Sequence, residues 1–297
     1  MSTEARALAP APRAGALGRL QTRLPRLGVL VLLALTALLF AVPFYWVLIS
    51  AVKTAPELRA VPPTWWPQAP TLDNFPRAWS AKFGRYMINS FVYGGVSTIV
   101  ITFTSSLIAY VLVKDRSRLG DFLFWVILSA AMVPFVTYLL PLFNMMLRIQ
   151  AVLGLPIVNT YAGMILPWIV SPFGIFLMRQ AMFGVPNELI DAARIDGASD
   201  FTTFTRVVFP LVQQNAAALL ILMFIFRYDD LLWPLVVAQE PSMYPVTVGL
   251  AEFVGDYFVE YDLFNAAALM AMLPIALIYF FLQRYIVEGI ATQGLRG

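Results

Sequence analysis

The chain has 297 residues, of which 60% are apolar and 12% charged, with a formal net charge of +3. A soluble domain carries about twice that share of charge, and so small a net charge gives no reason to expect a nucleic-acid partner. With no cysteine and no histidine, disulfides, thiolate nucleophiles, Ser-His chemistry and Cys- or His-ligated metals are excluded. No Gly-x-x-x-x-Gly-Lys-Ser/Thr segment occurs, so no P-loop for ATP is expected, and neither a metal nor a cofactor is implied.

Residues 1–26 are rich in Ala, Pro and Arg, with Arg6, Arg13, Arg19, Arg23 and Arg26 set against a single acid, Glu4. The apolar run from Leu27 to Ile49 is too long for a signal-peptide core and lacks a clear cleavage site. It reads as a first transmembrane helix behind a disordered basic cytoplasmic tail. Residues 51–86 read as a polar external loop carrying six prolines and Trp65-Trp66, a pair suited to an interface or to packing.

A second helix is expected over 87–113 and a third over 122–146, the turn between them carrying Lys114, Asp115, Arg116 and Arg118. Pro134 and Pro141 fall inside the third and read as simple kinks. Residues 147–159 form a short external loop. A fourth helix is expected over 161–182, with Pro167 and Pro172 inside it.

The stretch from Pro186 to Pro210 breaks the apolar pattern with four carboxylates and two arginines. It reads as two short helices. Pro186 suits a first helical position, and Glu188 and Asp191 meet the positive end of the helix dipole. Gly197 ends the helix in a left-handed conformation. Ser199 caps the next helix, whose apolar face is Phe201, Phe204 and Val208. Ala192 and Ala193 offer almost no side chain, so another backbone could approach that face closely.

A fifth helix is expected over 207–226, followed by the polar cluster Arg227-Tyr228-Asp229-Asp230. Arg227 and Asp230, three apart, can pair on one helix face. They then either close a helix end or, with Asp229, line a translocation path. An acidic external stretch, 238–262, precedes a sixth helix over 265–287 and a short tail, 289–297. The whole is an all-α polytopic membrane protein with one membrane domain, residues 27–288. With both ends cytoplasmic, thirteen basic residues fall inside and six outside, Arg227 set aside. The positive-inside rule therefore puts the 186–210 loop in the cytoplasm, although Lys53, Arg59, Arg77, Lys82 and Arg85 crowd the first external loop.

Asp191-Ala192-Ala193, Asp196-Gly197-Ala198, Phe204 and Phe209-Pro210-Leu211 together resemble the cytoplasmic signature of binding-protein-dependent ABC importer permeases. Asp stands at 191 where Glu is usual, and Gln214 where a second Pro is common. Thr71-Leu72-Asp73-Asn74-Phe75, Asn89-Ser90, Ala109-Tyr110, Ser171-Pro172-Phe173-Gly174 and Arg179-Gln180 are similar to the sugar-type members. Tyr228-Asp229-Asp230 replaces a common Trp-Asn-Asp, and Gln293 a common Gly. The resemblance implies six transmembrane helices with a coupling helix–turn–helix between the fourth and fifth. Glu188, Asp191, Ala192, Ala193, Asp196, Gly197 and Ala198 would face a separate ATPase.

It further implies a transport subunit rather than an enzyme, the smaller member of a maltose-type permease pair in a bacterial or archaeal cytoplasmic membrane. The partners would be a second homologous permease, two ATP-binding subunits, an external substrate-binding protein and the lipid bilayer. The solute would be a sugar, an oligosaccharide or a sugar-phosphate-like compound. The competing readings are an ion-driven secondary transporter, which would want ionisable groups near the bilayer midplane and gives the cytosolic helix–turn–helix no role, and an intramembrane enzyme. The latter lacks His, Cys or a convincing serine–lysine pair.

Overall fold

A computed structural model describes residues 16–114, 118–254 and 260–294, with side chains from 28 to 285. Arg6, Arg13, Asp115, Arg116, Asp256 and Arg296 lie outside the described residues. The chain falls into two units, residues 1–49 and residues 50–297. Over its described part the first is a single helix, α1 (Ala16–Ala51), which ends just inside the second. The helix thus starts well before Leu27, and residues 16–26 are helical rather than a disordered tail.

The second unit opens with α2 (Ala55–Leu58) and α3 (Asn74–Ala78). Helical structure therefore resumes before the expected end of the first loop. Ala81 and Lys82 leave helical geometry, Lys82 with φ +70°, and this kink joins α3 to α4 (Gly84–Lys114). Trp65 and Trp66 are exposed. Hydrogen bonds hold the loop between α2 and α3 at both ends. Asn74 Nδ2 donates to the carbonyls of Ala51 and Lys53, and the buried Lys53 donates to Thr64 O.

The expected third helix is two. α5 (Arg118–Ala130) stops in a tightening turn, and α6 (Phe135–Leu153) starts after Pro134. Proline lacks the N–H that would continue the ladder and holds the residue before it out of the helical region, so Pro134 breaks the helix instead of kinking it. Pro141 is accommodated inside α6. α6 runs on to Gly154, which takes a left-handed φ of +65°, so only the residues after it form the loop.

The fourth span is also broken. α7 (Tyr161–Ile165) and a 3-10 turn (Leu166–Trp168) meet α8 (Pro172–Met182) at 48°. Ser171 Oγ accepts the Gly174 N–H and Pro172 takes the first helical position, which starts a new helix cleanly. After α9 (Asn187–Ile195) and α10 (Asp200–Thr203), helical structure continues through α11 (Phe209–Leu211). It then turns by 81° at Val212 into α12 (Gln213–Tyr228). The expected single helix over 207–226 is thus two segments at a sharp angle. Val212 N–H bonds only three residues back, to Phe209 O, and its own carbonyl accepts the Ala216 N–H that starts the new helix.

The chain ends with α13 (Leu232–Val237), α14 (Val246–Ala251) and α15 (Tyr261–Gly294), unbroken at Pro274. Among the described residues four helices are long and apolar enough to cross a membrane, and six if each bent pair counts as one span.

α4 is the axis of the second unit and packs against α8 and α12, while α12 packs on α15. Its buried face carries Ser90, Gly94, Ser97, Thr98, Ser105, Ser106 and Ala109. Small side chains let helix backbones approach where no water-driven force brings them together. The approach is tight: a Cβ on Gly174 of α8 would lie 2.4 Å from Ser105 Oγ. One core cluster joins Tyr110, Met178, Met182, Ile190, Phe204, Val208 and Leu219. A second gathers Phe83, Tyr86, Tyr228 and the start of α15, and a third Tyr93, Met164, Trp233 and Val237.

Candidate functional site

α9 begins at Asn187. Pro186, with ψ 132°, stands just outside it as the capping position rather than as its first residue. Glu188 lies in the first turn and Arg194 in the last, each sign matching the nearer end of the dipole. Ile190 is buried in the cluster with Tyr110 and Phe204, and Val185 joins it. The opposite face is open: Glu188, Asp191, Ala192, Asp196 and Gly197 are exposed, and Ala193 and Ala198 half-buried. Ile195 is 87% exposed.

Gly197 has φ +78°. Its N–H bonds to Arg194 O at 3.0 Å and the Ala198 N–H reaches back to Ala193 O at 2.9 Å, which is the hydrogen-bond pattern of a glycine-terminated helix. Ser199 Oγ accepts the Thr202 N–H and caps α10. Phe204 and Val208 are buried as expected, whereas Phe201 is 60% exposed. Asp191 forms an ion pair with Arg194 at 3.6 Å.

One further ion pair ties this segment to α4, and another, just before the segment, joins α8 to α5. Lys114, the last residue of α4, pairs with Asp200 at the start of α10. Arg179 of α8 pairs with Asp121 of α5 at 2.7 Å, its guanidinium stacked on Phe124 and Phe183. Neither pairing is readable from spacing, because the partners lie far apart in the chain.

At the far end of α12, Arg227 and Asp230 pair at 3.0 Å. α12 starts at Gln213, so Arg227 lies fourteen residues along it, about 21 Å at the helical rise. The guanidinium stacks on Trp168 at 3.9 Å, and the Asp230 carboxylate also accepts the Tyr93 hydroxyl at 2.7 Å. Thr247 Oγ1 donates to Asp230 O. The pair thus joins α4, the broken fourth span and α14. Asp229 stands apart from it, exposed at the end of α12. Tyr93 and Trp168 were not singled out from the sequence. Arg85, Asn89 and Tyr93 stand at four-residue intervals on α4, a periodicity that could have marked them.

The small-residue face of α4 and the two bent apolar pairs suit a polytopic membrane protein. Residues 102–292 match the family described as binding-protein-dependent transport system inner membrane component, and the chain belongs to that family: it is a permease subunit of an ABC importer, a multi-pass inner-membrane protein. It is 30% identical over 276 residues to the arabinooligosaccharides transport system permease protein AraQ of Bacillus subtilis, spanning 92% of this chain and 96% of that one. It is 31% identical over 273 residues to the sn-glycerol-3-phosphate transport system permease protein UgpE of Escherichia coli, spanning 89% and 94%. The fold is similar to that of a bacterial ABC transporter involved in import of the acidic polysaccharide alginate. There the TM-score is 0.74 with 20% identity over 93% of this chain and 99% of that one.

Proposed function

We propose that this subunit moves a carbohydrate-type solute, delivered by an external binding protein, into the cytoplasm, and that the 186–210 segment couples it to a separate ATPase. Ile195 carries the reading. It is an aliphatic side chain 87% exposed at the end of a helix whose open face otherwise carries Glu188, Leu189, Asp191, Ala192 and Arg194. Beside it Ala192 and Ala193 leave room for a partner's backbone. An apolar side chain held out in this way suits insertion into a cleft. The rest of the segment is anchored through Ile190, Phe204 and the Lys114–Asp200 pair, so a push on α9 reaches α4 and α8 without first being lost in a flexible loop.

Both termini and this segment are cytoplasmic in this reading, as the charge distribution supports. A second permease subunit, two ATP-binding subunits and the external binding protein complete the assembly. The sugar class rests on the Thr71–Phe75 and Ser171–Gly174 motifs and on what the relatives are named for. Ala193→Trp tests the coupling: the subunit should insert at normal levels and fail to co-purify with the ATPase. Normal co-purification would remove α9 from that contact.

A further inference from the structure

The five basic residues of the first external loop run against the positive-inside trend, and the fold accounts for only some of them. Arg77 pairs with Asp262 at 2.8 Å, and Lys53 is buried against the Thr64 carbonyl. Lys82 and Arg85 are exposed, and among the described residues neither forms an ion pair with a carboxylate. Both line one cavity of about 520 Å³, together with Glu240, Pro241 and Ser242.

The cavity is built. Lys82 sits in left-handed backbone at the kink before α4, which is costly for a residue with a Cβ and marks a constrained position. Arg85 Nε donates to Ser242 O at 3.2 Å, which fixes the guanidinium and leaves its terminal nitrogens for another acceptor. One turn on, Asn89 Nδ2 donates to the carbonyls of Ser242 and Tyr244, each at 2.9 Å, and its Oδ1 accepts the Tyr161 hydroxyl. The 241–244 segment is therefore clamped to α4. Tyr93, one turn further, holds Asp230.

We propose that this cavity seats a carboxylate-bearing loop of the external solute-binding protein. The inference rests on the importer reading and on the topology proposed with it. A planar guanidinium held by one nitrogen offers a two-pronged site for a carboxylate, and the ammonium beside it adds a second charge. Glu240 on the same rim repels a carboxylate that enters out of register, so one docking pose is favoured over its neighbours. The seat stands on α4, the helix whose other end carries the Lys114–Asp200 pair.

The test uses the complete importer in vesicles of neutral lipid, titrated with its cognate solute-loaded binding protein, with ATPase stimulation as readout. Lys82→Glu combined with Arg85→Gln should raise the half-saturating concentration of binding protein at least about tenfold. The maximal stimulated rate and the ATPase rate without binding protein should stay at wild-type values. Raising the salt should weaken the wild type far more than the variant, because screening acts on exposed charges. Should the double variant fail to assemble, Lys82→Gln alone should still raise half-saturation about threefold. Because the chain has no cysteine, Lys82→Cys supplies a unique thiol that should crosslink to a cysteine replacing an acidic residue of the binding protein.

Half-saturation within about twofold of wild type in the assembled variants would overturn the proposal. So would a shift seen only in vesicles containing anionic lipid, which would make the cavity a headgroup site. A wild-type importer that ignores the binding protein altogether would remove the importer reading and this proposal with it. Unchanged half-saturation in variants of a responsive importer removes the proposal alone.

Discussion

Arg227 and Asp230 meet at 3.0 Å with only 17% and 13% of their side chains exposed. The carboxylate accepts the Tyr93 hydroxyl and the guanidinium carbon lies over the Trp168 ring. Removing one partner strands the other charge, which costs about 3–5 kcal/mol for a buried pair, whereas removing both need not. Arg227→Met should therefore lower expression and thermal midpoint more than Arg227→Met with Asp230→Leu. A double variant as damaged as the single would show that the charges do not act as a pair.

Asp229 stands next to this pair but outside it, exposed at the end of α12. Asp229→Ala should leave expression and assembly at wild-type levels. We expect it to slow solute uptake at saturating binding protein, as a carboxylate on the pathway would. Uptake at the wild-type rate would confine the cluster to a structural role.

Gly197 ends α9 at φ +78° and donates its N–H to Arg194 O. A Cβ there meets open space, so Gly197→Ala should cost only the left-handed strain, about 1–2 kcal/mol. Gly197→Pro removes the hydrogen bond and fixes φ near −65°, so the chain cannot turn back toward Ser199. Its expected phenotype is an inserted subunit without transport. Wild-type transport by the proline variant would contradict the role given to this turn.

Gly249 makes the opposite kind of demand. A Cβ on it would lie 2.1 Å from the ring of Tyr86, which is fully buried. Gly249→Ala should lower the thermal midpoint by an amount matching the about 1–3 kcal/mol of an overpacked core. In a Tyr86→Ala background, itself destabilised by the cavity it leaves, Gly249→Ala should lower the midpoint little further; an equal drop in both backgrounds would show that the ring is not the obstacle.

The Glu57 carboxylate titrates below its ordinary 4.5. Burial pushes it up, but the Gln68 N–H and the Thr64 hydroxyl outweigh that and favour the ionised form. A depressed carboxylate stabilises the fold above its ordinary value, and the contribution is lost as pH falls through the folded one. Amide-exchange protection at Gln68 should fall on acidification in the wild type. In Glu57→Gln it should be lower at neutral pH and insensitive to acid.

The glycine turn at Gly197, the cap at Ser199 and the pairing of Arg227 with Asp230 were legible because each depends on residues within a few positions of one another. Breaks in the membrane helices were not. Pro134 and Pro141 look alike in the sequence, yet the first divides two helices and the second sits within one. The 81° turn at Val212 has no glycine to announce it and depends on Phe204 and Val208 being buried against α4 and α8. Lys114 with Asp200, and Asn89 with Tyr161, were invisible for the same reason: tertiary packing brings them together across long separations.

Import driven by a separate ATPase through the 186–210 segment requires ATP and no ion gradient. Uptake of labelled oligosaccharide into proteoliposomes containing the complete importer and its binding protein tests it most directly, with ATP enclosed or an ion gradient imposed. Uptake is expected with ATP alone, undiminished by ionophores, and abolished by Ala193→Trp. Uptake that follows the ion gradient and ignores ATP would contradict it.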